Sequence, residues 1–265
     1  MSLLTRLGGH RLFGGTPEAM WPVARPMVPL VMRFLVPSYG YGIDRMPAAG
    51  GAVLAANHFS AIDPALVGIY SRRCVYYMAK IELLSVPVFG EFLRWTGAFA
   101  VRRGEGDRDS IRVARWAARA GHVCGMFMEG TRQKFGYPGP VHPGAAMIAI
   151  QESVPVVPCG VDTFQWSLSN RRPCAVVMGE PIDLSGLPAN GRGYKEGAHV
   201  VEEAIHRLWR QAAKAVADGF PEQLPDGTPR TPPPRRRELI RVDGEAWPRE
   251  PWAAEPLGPV YPGPA

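Results

Sequence analysis

The sequence lacks a long apolar run. The best candidate, residues 27–36, is short and contains Arg33, whereas a helix that spans a membrane needs about 20 consecutive apolar residues. The first residues also lack the basic, apolar and small-residue order of a secretory signal. We therefore expect neither a transmembrane helix nor a secretory leader.

Cysteine is scarce, and none of the four cysteines forms a Cys-x-x-Cys pair. All of them lie in mostly apolar stretches, which favours buried free thiols in a cytosolic protein over a disulfide framework or a zinc site. They are Cys74, Cys124, Cys159 and Cys174. His58, His122 and His142 also lack the spacing of metal ligands, so the residues imply no metal.

Charged residues make up only 20% of the 265 residues, and hydrophobic residues make up 46%. These proportions exclude a disordered chain and a coiled coil. The net charge is nevertheless +6, which suits an anionic partner such as a phosphorylated metabolite, coenzyme A, an anionic membrane or nucleic acid. The sequence has no basic patch with interleaved aromatic residues, so we expect no nucleic-acid partner.

Apolar segments typical of strands alternate with helical segments from residue 51 onward. The predicted strands are 51–56, 74–79, 97–101, 123–128, 154–161 and 174–179, and the predicted helices are 64–70, 81–95 with an interruption at Pro87, 107–120, 144–152 and 196–217. This alternation predicts an α/β domain with a mostly parallel central sheet flanked by helices. In such sheets ligands bind beyond the carboxyl ends of the strands.

The pattern divides the chain into three parts. Residues 1–46 form an N-terminal segment, which we interpret either as an amphipathic helix on a membrane surface or as a helix packed on the domain's own core. Residues 47–219 form the α/β domain. Residues 220–265 hold 12 of the 28 prolines, which predicts a disordered tail.

A histidine and an aspartate follow the first predicted strand, in Asn57-His58-Phe59-Ser60-Ala61-Ile62-Asp63. Asp63 precedes Pro64, so one interpretation is a helix N-cap beside a partly buried loop histidine. In the other, the loop brings the Asp63 carboxylate to one ring nitrogen of His58. The second nitrogen is then available as a general base.

Three further blocks stand at or near strand ends. Residues 97–103 end in Arg102 and Arg103, at a rim where a phosphate could bind. Residues 127–132 read Phe-Met-Glu-Gly-Thr-Arg, which taken alone also suits a tight turn with an internal Glu129–Arg132 pair. The fourth block, Val-Pro-Val-Val-Pro at residues 154–158, taken alone indicates packing.

Together and in this order, the four blocks resemble the motifs of the glycerolipid acyltransferases, typified by lysophosphatidic acid acyltransferase (1-acylglycerol-3-phosphate acyltransferase). The resemblance covers roughly residues 45–185. Lys80 resembles a family lysine upstream of the second block, although an exposed strand-end lysine is the equal alternative. Met128 replaces the usual proline of the third block, which we expect to loosen that turn. Arg102 stands where many members carry Asp or Asn, which leaves the acceptor less certain.

The resemblance implies transfer of a fatty acyl group to the free hydroxyl of lysophosphatidic acid, giving phosphatidic acid in phospholipid biosynthesis. Acyl-coenzyme A or acyl carrier protein would be the donor, and no cofactor is expected. His58 would act as the base and Asp63 would orient it. No Gly-x-Ser-x-Gly elbow is present, so a serine acyl-enzyme is not expected.

The resemblance also implies a binding site for the substrates. Its residues are Lys80, Arg102, Arg103 and Arg132 for the acceptor phosphate, Glu129 to orient those cations or a glycerol hydroxyl, Gly130 and Thr131 for close backbone approach, and Val156 along the acyl-chain path. Because the product is a membrane lipid, we expect peripheral association with the cytoplasmic face of the membrane.

Three alternatives remain open at this point. The acceptor could be another lysophospholipid or lipid hydroxyl. The protein could be an acyl thioesterase that uses the same two residues with water, although water needs no arginine cluster. It could also be a non-catalytic, peripheral lipid-binding protein.

Overall fold

The computed structural model describes residues 17–86, 90, 92–93, 96–101 and 108–233. Within them, eight strands form one sheet in the order β4-β3-β5-β2-β6-β7-β1-β8. The strands are β1 Ser38–Tyr41, β2 Ala52–Ala56, β3 Val75–Lys80, β4 Phe99–Val101, β5 Val123–Phe127, β6 Val156–Asp162, β7 Cys174–Met178 and β8 Arg230–Thr231. All neighbours pair in parallel except β6 with β7 and β1 with β8. The predicted α/β class with a mostly parallel sheet is confirmed.

Helices connect and cover these strands. They are α1 Pro17–Leu35, α2 Asp63–Ser71, α3 Ile81–Leu84, α4 Arg108–Arg119, α5 Gly144–Glu152 and α6 Gly191–Ala217, with a 3-10 turn at Ile43–Arg45. The bounds of α5 are those predicted. Helix α6 begins earlier than predicted because the Asn190 side chain accepts hydrogen bonds from the backbone N–H groups of Arg192 and Gly193.

The sheet has helices on both faces. Val53 and Ala55 of β2 pack in the cluster that contains α4, α5 and α6, whereas Ala52, Leu54 and Ala56 pack in the cluster that contains α2. Successive side chains of a strand point to opposite faces. A strand covered on both faces therefore needs an apolar residue at every position, which explains the unbroken apolar run of β2.

Helix α1 has one packed face and one exposed apolar face. Met32, and Val36 just after the helix, are buried in the cluster that contains α2, with Val28 against it. Among the side chains of residues 26–35 in α1, the exposed large apolar ones are Met27, Leu30, Val31, Phe34 and Leu35. Packing on the domain's own core is therefore observed, and an apolar stripe is left over. Strand β1 also lies within the predicted N-terminal segment, so the folded domain begins before residue 47.

The beginning of the predicted tail folds against the domain, so the expectation of disorder from residue 220 is wrong for residues 220–233. Strand β8 pairs with the outer strand β1. The Tyr41 hydroxyl donates to the Pro221 carbonyl oxygen at 2.9 Å, and the Arg230 guanidinium lies 4.8 Å from the centre of the Tyr39 ring. The segment has no core of its own, but β1 offers an unpaired edge. Residues 234–265 lie outside the described residues.

The remaining expectations concern the membrane and the thiols. Among the described residues, no helix combines the length and the hydropathy needed to span a bilayer. The four cysteines are free and buried, as predicted. Burial raises the pKa of the Cys124 thiol to about 12, so this thiol is inert at neutral pH.

Candidate active site

Five parallel strands bring the predicted motifs to one edge of the sheet. Strands β2, β3, β4, β5 and β6 run in the same direction, so their carboxyl ends share that edge. The segment 57–63 follows β2, and residues 128–133 follow β5, which pairs directly with β2. The sheet therefore places the histidine loop next to the Glu-Gly-Thr-Arg loop.

His58 and Asp63 are in direct contact. The His58 Nδ1 atom lies 2.8 Å from Asp63 Oδ2. The same oxygen accepts hydrogen bonds from the backbone N–H groups of Phe59 at 2.7 Å and Ser60 at 2.8 Å. Asp63 is fully buried and is the first residue of α2, whose N-cap is Ile62 without a side-chain cap. The N-cap interpretation is thus wrong, because the carboxylate closes the loop that carries the histidine.

The His58 ring is held on its face as well as at Nδ1. It stacks on Phe127, the last residue of β5, with ring centroids 4.2 Å apart. The side chain is only 12% exposed. With Nδ1 engaged by the carboxylate, Nε2 is the ring nitrogen left to exchange a proton with a substrate.

Asn57 fastens the start of the loop to the neighbouring strand. Its side-chain amide donates to the Val161 carbonyl oxygen at 2.9 Å and accepts from the Val161 N–H at 2.8 Å. The asparagine therefore extends the β2–β6 ladder by one side-chain bridge. This explains why a buried amide directly precedes His58.

Glu129 joins the two loops. Its Oε2 accepts from the His58 N–H at 2.6 Å, and its Oε1 accepts from the Gly139 N–H at 3.0 Å. Burial raises the pKa of the Glu129 carboxyl to about 7, and the Asp63 charge raises it further, while both backbone hydrogen bonds lower it. Because both oxygens bind backbone groups, Glu129 positions the His58 loop. Within the described residues it forms no ion pair with Arg132.

Met128 strengthens the turn that we expected it to loosen. Its N–H donates to the Ala56 carbonyl oxygen at 3.1 Å, a bond that a proline cannot make. Gly130 follows with φ of 66°, in the left-handed region that favours glycine. Gln133 then donates its N–H to the His58 carbonyl oxygen at 2.8 Å. Backbone hydrogen bonds thus lock the two loops together.

A cleft of about 390 Å³ opens beside these loops. Its lining residues are Met78, Met126, Phe127, Met128, Glu129, Gly130, Thr131, His142, Gly144 and Ala145. Methionine adapts to flexible apolar ligands, so the cleft suits an acyl chain. Val156 is instead fully buried in the core and is not among the residues that line this cleft, so the acyl path beside it stays a prediction.

Two of the predicted cationic residues, Lys80 and Arg132, follow or end strands of this edge. Thr131 and Arg132 are exposed. Lys80 is exposed at the end of β3, two strand spacings or roughly 10 Å from β2. Arg102 and Arg103 follow β4 and lie outside the described residues. Among the residues that the structure describes, no cluster of histidine, cysteine and carboxylate side chains is arranged to hold a metal ion.

Sequence reasoning missed Thr163. Its hydroxyl donates to Asp63 Oδ1, and the residue is fully buried. It directly follows β6, so its position after a strand parallel to β2 was the available signal. A lone threonine is too common to stand out without the fold.

The chain is similar in sequence to known acyltransferases. The Acyltransferase family model matches residues 40–162. The chain is 29% identical to a 1-acyl-sn-glycerol-3-phosphate acyltransferase of Bacillus subtilis over 158 residues, which are 57% of this chain and 78% of that protein. It is 30% identical to the human alpha enzyme of the same name over 156 residues, 55% of each chain. For several other curated relatives, the chain spans only about half to two thirds of the relative's length.

The fold is also that of a solved structure. The crystal structure of the 1-acyl-sn-glycerophosphate (LPA) acyltransferase of Thermotoga maritima superposes with a TM-score of 0.57 and 21% identity, over 72% of this chain and 80% of that chain. These matches confirm the resemblance that the four sequence blocks indicated.

Proposed function

We propose that the chain is an O-acyltransferase of the glycerolipid acyltransferase type, and that it transfers a fatty acyl group from acyl-coenzyme A or acyl carrier protein to the free hydroxyl of lysophosphatidic acid, giving phosphatidic acid. The observation that carries the proposal is the His58–Asp63 contact of 2.8 Å at the ligand-binding edge of the sheet. The named relatives supply the substrate class.

In the proposed reaction His58 acts as a general base, a role worth roughly 10²–10⁴ in rate. Its Nε2 takes the proton from the acceptor hydroxyl, whose oxygen attacks the thioester carbonyl carbon. The tetrahedral intermediate collapses with cleavage of the carbon–sulfur bond. The departing thiolate takes the proton back from His58. Asp63 holds the Nδ1 proton and stabilises the imidazolium.

Cations would bind the acceptor phosphate through charge-assisted hydrogen bonds. Arg132 is the described candidate nearest the histidine loop, since Gln133 beside it donates to the His58 carbonyl oxygen. Lys80, Arg102 and Arg103 would add to the same positive field. Gly130 lets the backbone approach the ligand. No cofactor takes part in this proposal.

The test is thiol release from oleoyl-coenzyme A, measured with and without lysophosphatidic acid, with the lipid product identified by mass spectrometry. We expect release that depends on the acceptor and yields phosphatidic acid. Release without acceptor would identify a thioesterase instead. Oleoyl-acyl carrier protein as donor and lysophosphatidylcholine as acceptor then define the specificity.

We further propose that the enzyme binds the cytoplasmic face of the membrane peripherally through α1. The exposed residues Leu30, Val31 and Phe34 recur at helical spacing on one side of α1, as in helices that lie on membranes. The net charge of +6 favours the anionic cytoplasmic leaflet.

Vesicle flotation tests this contact with vesicles of phosphatidylcholine and phosphatidylglycerol. Phe34→Glu should reduce the bound fraction at least about tenfold, because burial of such a side chain is worth about 1.5–3 kcal/mol. The control is Val200→Glu, at an exposed apolar position of α6. Equal binding of both variants would contradict the assignment of α1.

A further inference from the structure

We propose that Thr163, which directly follows strand β6, is a positioning residue for the histidine–aspartate pair and restrains the Asp63 carboxylate. The inference rests on the proposed acyl transfer and adds a residue that lies outside the four motifs. The observation behind it is that the two Asp63 carboxylate oxygens have different hydrogen-bond partners.

The bonds to Asp63 are unevenly divided. Oδ2 receives three donors, namely His58 Nδ1 and the backbone N–H groups of Phe59 and Ser60. These three donors contact only Oδ2, so Oδ1 has to be held by a different group. Within the described residues, the only hydrogen bond to Oδ1 comes from the Thr163 hydroxyl. This bond therefore adds an independent restraint on the side-chain torsion of Asp63, and with it on the direction from which Oδ2 meets the imidazole.

The surroundings make this bond hard to replace. Both Asp63 and Thr163 have 0% exposure, and a buried carboxylate oxygen that loses its partner incurs the desolvation cost of that group. Threonine is branched at Cβ, so its χ1 has few accessible rotamers. A buried threonine therefore holds its hydroxyl in a defined direction.

Two residues at or just after the carboxyl end of β6 hold the site through hydrogen bonds. Val161 holds the Asn57 side chain through two hydrogen bonds, which fixes the backbone just before His58. Thr163, two residues later, fixes the carboxylate that holds the His58 ring. Residues at the end of β6 and just after it thus position both the backbone and the ring of the proposed base.

The test compares two substitutions that differ in the hydroxyl group. Thr163→Val keeps the shape and removes the donor, whereas Thr163→Ser keeps the donor. We expect Thr163→Val to lower kcat for acceptor-dependent thiol release about 10–100-fold, the range for a hydrogen bond to a charged group. The KM values for both substrates should stay within about threefold, and serine should restore kcat.

Two further measurements separate positioning from general stability. Thr228→Val removes a buried hydroxyl that accepts from Arg45 away from the site, and it should leave kcat unchanged. Proton NMR of the His58 Nδ1 hydrogen requires no turnover. This resonance should shift in Thr163→Val and match the wild type in Thr163→Ser. If the valine variant does not fold, Thr163→Ala, which also lacks the donor, takes its place.

The outcomes are distinct. An unshifted Nδ1 resonance in Thr163→Val, or loss of kcat by both Thr163 variants in proportion to their loss of unfolding free energy, would overturn the positioning role. Wild-type protein without acceptor-dependent release would instead contradict the proposed function. The NMR comparison would still decide the role of Thr163 in that case.

Discussion

Replacement of Asp63 by asparagine would remove the charge from the site while keeping its shape. The asparagine oxygen can stay where Oδ2 accepts from Phe59 and Ser60. The amide nitrogen then faces the Thr163 hydroxyl, which can accept instead of donate. Because the bonds can be kept, the free energy of unfolding should change by less than about 2 kcal/mol.

The effect on the rate follows from electrostatics. The proposed transition state places a positive imidazolium beside Asp63, and His58 Nδ1 is 2.8 Å from its carboxylate. Two unit charges about 4 Å apart attract each other by about 4 kcal/mol at an effective dielectric constant of about 20. Loss of this attraction should lower kcat roughly 10³-fold.

The assay is acceptor-dependent thiol release from oleoyl-coenzyme A, together with urea unfolding of each variant. Asp183→Asn is the matched control, because it removes an exposed carboxylate that accepts from the Ser185 N–H. It should behave like the wild type. A folded Asp63→Asn enzyme with kcat within about threefold of the wild type would refute the electrostatic argument.

Two further predictions concern the loop after β5. Burial raises the Glu129 pKa from 4.5 to about 7, so the folded protein binds the carboxyl proton more tightly than the unfolded chain does. The stability that this proton provides is fully present below pH 4.5 and is lost as the pH rises through 7. Relative to Glu129→Gln, wild-type unfolding free energy should fall by about 3 kcal/mol across that interval, and a pH-independent difference would contradict this. Arg132→Ala should raise the KM for lysophosphatidic acid about 10–100-fold, whereas exposed Arg192→Ala should not.

The sheet could be predicted because its strands are local apolar runs. Strand β2 is buried at every position, so each of its residues carries the signal. Strand β8 was missed because its two residues have no pattern of their own and form a strand only by pairing with β1. Strand β1, with the sequence Ser-Tyr-Gly-Tyr, is likewise too short and mixed to stand out.

The central contact of the site could be inferred because His58 and Asp63 are close in sequence and a turning loop can join them. The partners of Glu129 could not, because its oxygens bind backbone N–H groups of residues 58 and 139. Backbone donors carry no sequence signature. Thr163 lies 100 residues from Asp63, so only strand pairing reveals that the two meet.

The most direct test of the account is acceptor-dependent thiol release by His58→Ala, with binding of lysophosphatidic acid measured in parallel by calorimetry. His58 lies between Asp63 and Phe127, and it is not one of the residues that we propose for binding of the acceptor phosphate. We predict that release falls by at least about 10² while binding of the lipid is retained. Release at the wild-type rate by the folded variant would contradict the assignment of His58 as the base.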